Sequence, residues 1–102
     1  MAALRFSRLA DSDLMEIGAY TLRIWGQEQA IRYLDDLEAC CQRLAAHPES
    51  GRPCEAVRPD LRRMEHGKHV VFFRREPNGI LISRILHQRM LPETHVPDDD
   101  ET

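Results

Sequence analysis

Within the run LISRILHQRM, Leu81–Met90, three cationic or titratable side chains follow one another at short spacing: Arg84, His87 and Arg89. Such a set could hold an anion through paired guanidinium donors, or move a proton through the imidazole. Further groups of this kind stand upstream. Arg63 and Glu65 lie in LRRMEH, and His69 and Arg74 bracket the apolar run of HVVFFRR. Cleaving RNA at a 2′-hydroxyl needs a base, an acid and a cation for the charge that develops on phosphorus. Arg63, Arg74, Arg84 and Arg89 could supply the cation, and Glu65, His69 and His87 the proton transfer. The two tyrosines, Tyr20 and Tyr33, fall in helical segments, the single lysine, Lys68, falls in a turn, and no aromatic follows Phe73. A phosphate- or carboxylate-recognising surface fits this inventory better than a catalytic one.

The five histidines have no local ligand spacing, so no metal site and no cofactor is expected. Cys40, Cys41 and Cys54 make an odd number with two adjacent, which suits reduced thiols and core filling rather than a disulfide framework. There is no apolar run of membrane-spanning length and no leader-like start, so no membrane association and a cytoplasmic location are expected.

Charge is unevenly distributed. Residues 1–49 carry five Arg against eight acids, residues 50–92 eight Arg and one Lys against four acids, and residues 93–102 five acids and no base. The middle block is therefore basic and almost purely arginine, which favours two-point contacts with carboxylate or phosphate.

The elements that must position these groups can be read from periodicity. Leu4 and Phe6 alternate with Arg5 and Ser7, as in a short half-buried strand. A helix follows, capped by Asp11 or Ser12, with Leu14, Ile17, Thr21 and Ile24 on one face and Gly26 as its stop. From about Gln27 to Ala46, residues Ala30, Leu34, Leu37, Cys41 and Leu44 form the apolar seam of a second helix. The segment 47–60 holds three of the six prolines and reads as a loop. Leu61–Glu65, His69–Arg75 and Ile80–His87 read as strands, with Asn78-Gly79 as a hairpin signal. The order is β-α-α-β-β-β: an α+β fold, with a helical hairpin packed on a mainly antiparallel four-stranded sheet. It fills one domain, residues 1–92, and residues 93–102 read as a flexible acidic tail.

This order resembles the ParE/RelE superfamily of toxin–antitoxin toxins. The stretch YTLRIWGQEQAIRYLDDLEACCQRLAAHPESGRP is similar to its helical hairpin, LRRMEHGKHVVFFRR to its middle strands, and ILHQRM to the ending of the ParE branch. The resemblance implies a type II toxin that inhibits DNA gyrase by binding, without chemistry of its own. It also implies neutralisation by a ParD-like antitoxin in a hetero-oligomer, with operator DNA bound by the antitoxin and not by this chain alone. The target- or antitoxin-binding surface would be built from Arg63, His69, Arg74, Arg84, His87, Arg89 and Met90. The RelE branch implies the alternative, a ribosome-dependent mRNA endonuclease. A core carboxylate such as Glu65 could also claim Arg84 as a purely structural partner.

Overall fold

A computed structural model describes residues 2–97. Strand β1 (Ala3–Phe6) leads into helix α1 (Arg8–Trp25) and helix α2 (Gln27–Ala46). A 3-10 turn, Pro48–Ser50, and a two-residue strand β2 (Arg52–Pro53) follow. Strands β3 (Arg62–His66), β4 (His69–Glu76) and β5 (Gly79–His87) then form a meander, and a short helix α3 spans Pro92–His95. The sheet runs in the order β1-β5-β4-β3-β2. Only β1 is parallel to its neighbour, and the other pairs are antiparallel.

The helical hairpin and the meander match the sequence expectation, but the sheet has five strands rather than four. The added strand, β2, lies in the segment read as a loop. Two residues are too few to show alternation, and Pro53 is tolerated because β2 is an edge.

The cap of helix α1 lies four residues before Asp11, the earlier of the two expected. Ser7, not Asp11 or Ser12, is the N-cap: its Oγ accepts from the Ala10 N–H at 3.0 Å and its hydroxyl donates to the Ser83 carbonyl at 2.7 Å. The chain thus turns from strand to helix without a linker. Asp13 is carried into the helix interior, on the buried face with Ala10, Ile17 and Thr21. Ile24, expected on that face, is 50% exposed.

The β4–β5 hairpin turns on Pro77 and Asn78, and Gly79 is already in the strand. Its reason for being glycine is the neighbouring strand: a Cβ there would lie 1.8 Å from the Ala3 carbonyl oxygen. The Asn-Gly signal located the hairpin correctly, but the glycine serves β1 rather than the turn.

The helices cover one face of the sheet. Leu37, Cys41 and Leu44 from α2 and Ile17 from α1 pack on Val71, Phe73, Ile80, Ile82 and Ile85. The opposite face is smaller and is covered by the chain's own loop and C-terminal segment: Cys54, Val57, Leu61 and Val96 pack on Val70, Phe72 and Leu86. Of the segment read as a tail, residues 93–97 are described, and Val96 within it is buried. Residues 98–102, which hold four of its five acids, lie outside the described residues.

Candidate functional site

The polar end of β5 divides between the two faces of the sheet. Side chains alternate along a strand, so residues three apart point to opposite sides. Arg84 pairs in register with Phe72, and His87 with His69. Of the expected cluster of Arg84, His87 and Arg89, Arg84 is therefore set apart from the other two.

Arg84 is committed to the fold. Its Nε donates to Asp13 Oδ2 at 2.9 Å and its Nη2 to Asp13 Oδ1 at 2.8 Å. Its Nη1 donates to the His95 carbonyl at 2.7 Å. Asp13 also accepts from the Ile85 backbone N–H at 2.9 Å. Strand β1 ends at Phe6, opposite Ile82, so the β5 edge beyond it has no strand partner. The Asp13 carboxylate takes that place, and the guanidinium neutralises it. Hydrogen bonding to Asp13 drives the Arg84 pKa upward, against the lowering effect of burial. The structural partner of Arg84 is thus Asp13, not Glu65.

Glu65 serves other arginines. Arg63 donates to it from Nε at 3.0 Å, and Arg52 reaches the same oxygen. Burial pushes the Glu65 pKa up, but the Arg52 hydrogen bond and the two guanidinium charges outweigh it, and the net shift is downward. Arg63 also lies over the Phe72 ring, 5.5 Å from its centroid. Arg74 lines a shallow depression beside Arg62, Arg75 and Leu61, together with Glu55 and Asp60. On the same side, Arg58 donates to the Val96 carbonyl at 2.7 Å. Together with the Arg84 bond to His95, this fixes the chain after α3.

On the helix face, one rung of the sheet carries a histidine in three consecutive strands. His66 pairs with His69, and His69 with His87. Tyr33 from α2 packs on this rung. Its hydroxyl lies 2.7 Å from His69 Nδ1 and 3.2 Å from the His66 carbonyl. Gly67, at φ 58°, turns the chain beneath Tyr33, where a Cβ would meet the phenol oxygen at 2.7 Å. Burial lowers the His69 pKa, with His87 and His66 adding to the effect and Asp13 opposing it. Past β5, the Arg89 backbone N–H donates to His87 Nδ1 at 3.2 Å and the Met90 N–H to the His87 carbonyl at 2.9 Å. The side chain of Arg89 is exposed, and Met90 is 36% exposed.

The seven expected surface residues thus fall into two groups. Arg63, Arg74 and Arg84 belong to the far side of the sheet. His69, His87, Arg89 and Met90 belong to its end. Sequence reasoning missed Asp13, Tyr33, Arg58 and Val96. Asp13 carried a legible signal, since it shares helical spacing with the buried Ala10, Ile17 and Thr21.

Among the described residues, no group of three or more His, Cys, Asp or Glu is disposed to hold a metal ion. No helix among them is long and apolar enough to cross a membrane.

The family model described as ParE toxin of the type II toxin–antitoxin system parDE matches residues 4–92. The chain belongs to the ParE toxin family. It is 41% identical to Toxin ParE1 of Caulobacter vibrioides over 96 residues, covering 94% of this chain and 99% of that protein. It is 40% identical to Toxin ParE1 of Mycobacterium tuberculosis over 85 residues, covering 82% and 87%. Toxin ParE of Escherichia coli is 35% identical over 99 residues, covering 96% of each. A solved structure described as the chromosomal ParDE TA system from P. aeruginosa superposes with a TM-score of 0.73 at 27% identity, covering 85% of this chain and 96% of that one. The family resemblance carried by the ILHQRM ending is therefore sound. Arg84, just before that ending, and His87 within it nonetheless have separate structural settings in this ParE-family fold.

Proposed function

We propose that this ParE-family toxin acts by binding DNA gyrase and carries out no bond-breaking step itself. A ParD-like antitoxin would neutralise it in a hetero-oligomer, and that antitoxin, rather than this chain alone, would bind operator DNA. The setting would be the cytoplasm. The observation that carries the reading is family membership over residues 4–92. The chemistry of the far sheet face supports it. Glu65 is bound to Arg52 and Arg63, and its depressed pKa suits a standing anion rather than a proton shuttle. Arg84 is spent on Asp13, and Val96 covers Phe72.

The antitoxin reading draws support from the solved ParDE relative and from the exposed apolar residues of the helices. Met15, Leu22, Trp25 and Ile31 are all at least half exposed. Apolar groups of this size, gathered on a helical hairpin, suit the amphipathic helix of a partner. The test is expression without antitoxin. Growth arrest that antitoxin co-expression reverses, with gyrase–DNA complexes accumulating in the arrested cells, agrees with the reading. Arrest accompanied by mRNA cut on the ribosome, and by no gyrase–DNA complexes, contradicts it.

A further inference from the structure

The histidine rung has a chemistry that no part of the fold requires. Three half-buried imidazoles occupy one end of the sheet on the helix face, at the end of β3, the start of β4 and the end of β5. The Tyr33 ring lies 5.7 Å from that of His66 and 5.6 Å from that of His69, and His69 meets His87 edge-on at 5.7 Å. A strand end built for stability alone would place apolar or Thr side chains here.

One arrangement of protons satisfies both hydrogen bonds of the Tyr33 hydroxyl at once. The Tyr33 hydroxyl donates to the His66 carbonyl and accepts from His69 Nδ1. His69 thus keeps its proton on Nδ1 and takes up any second proton at Nε2. His87 Nδ1 accepts from the Arg89 N–H, so its own proton sits on Nε2. Two Nε2 atoms on adjacent strands are then available as donors once His69 is protonated. Lys68 and Arg89 join the same end of the sheet, since the Gln88 N–H donates to the Lys68 carbonyl at 2.9 Å, and both their side chains are exposed. The groups acting on His69 are His66 from β3, His87 from β5, Tyr33 from α2 and Asp13 from α1. Asp13 is the single acid among them, and it is already neutralised by Arg84.

We propose that this end of the sheet is a proton-gated oxyanion site for a phosphate group of a nucleic-acid backbone, held by His69 and His87 with Lys68 and Arg89. An imidazolium N–H, a neutral imidazole N–H, an ammonium and a guanidinium offer more donors than one carboxylate can use, and a phosphate presents more acceptor directions to them. Protonating the half-buried His69 beside two other histidines is unfavourable until an anion arrives. Binding and proton uptake are therefore linked, and affinity rises as pH falls. The nucleic-acid source of the phosphate rests on the gyrase reading; the oxyanion site itself does not.

The experiment is NMR of the full chain with its histidine Cε1–H groups labelled, titrated with inorganic phosphate at about pH 6 and about pH 8 under constant ionic strength. Saturable shifts at His69 and His87 are expected, with affinity about tenfold weaker at the higher pH. His87→Gln, checked for native circular dichroism, should abolish saturation. His47→Gln, at an exposed histidine beside Glu49, should leave it intact. Short duplex DNA should compete with phosphate, and a glutamate-rich peptide of equal charge should not. Shifts that match those from chloride, or that persist in His87→Gln, overturn the site. Preference for the acidic peptide overturns the nucleic-acid assignment. Phosphate binding in a toxin that leaves gyrase untouched removes the gyrase reading alone, and gyrase inhibition without phosphate binding removes this proposal alone.

Discussion

Asp13 and Arg84, 71 residues apart in sequence, meet through two hydrogen bonds at 2.8 and 2.9 Å with side chains only 8% and 14% exposed. This pair joins the first helix to the last strand where β1 no longer covers it. Through the His95 carbonyl it also holds the C-terminal segment against the sheet.

Removing one partner should cost far more than replacing both. Asp13→Ala leaves a buried guanidinium and the Ile85 N–H without their acceptor, and about 3–5 kcal/mol of stability should be lost. A double variant, Asp13→Leu with Arg84→Met, should recover a large part of that loss. Urea unfolding measures both. A single Asp13→Ala variant within about 0.5 kcal/mol of the parent contradicts this role. For the same reason, lost toxicity in Arg84→Ala should track lost folding rather than a damaged target surface.

Val96 should act as the clasp of the far sheet face. Val96→Ser removes an apolar side chain that is 2% exposed above Leu61, Val70, Phe72 and Leu86. Thermal unfolding should show a loss of about 1–3 kcal/mol. An unchanged melting temperature would mean that the C-terminal segment contributes nothing to the closed face.

Stability should fall in two stages on acidification, measured in phosphate-free buffer. His69 has a folded pKa below its ordinary 6.5, so its contribution is present above that value and lost as pH falls through the folded pKa. Glu76, held low by Arg5, and Glu65, held low by Arg52 and Arg63, likewise contribute above 4.5 and lose that contribution below it. His69→Gln should flatten the first stage and leave the second. A first stage of unchanged size in that variant would assign it to another group.

Cys41 should be chemically silent. Burial pushes its thiol up to about 12, with Cys40 and Glu38 adding to the shift, and burial raises Cys40 as well. Near pH 8, neither should be alkylated in the folded chain, and both should be labelled in denaturant. Rapid labelling of Cys41 under native conditions would show that α2 opens from the sheet.

The elements of this fold were legible because their apolar periods are clean. Ala30, Leu37, Cys41 and Leu44 all face inward as their spacing requires, and Val70–Phe73 supply apolar side chains to both sheet faces. The boundaries were less legible. Ser7 caps α1 through a partner at Ser83, 76 residues away, which no local signal reports. The surface was misgrouped for a related reason. Arg84 and His87 are close in sequence but separated by strand alternation: Arg84 is held by Asp13 of α1, and His87 meets His69, which Tyr33 of α2 holds. An acid in the buried stripe of α1 was the clue to the first. Tyr33 gave no comparable clue, because its partner rung exists only after three strands align.

Inhibition of gyrase by binding is tested most directly with purified gyrase, relaxed circular DNA and the full chain freed of antitoxin. The expected result is dose-dependent loss of supercoiling, with linear DNA trapped on protein denaturation and activity restored by the cognate antitoxin. Full supercoiling at every concentration, from a toxin that is folded and arrests growth, would contradict it.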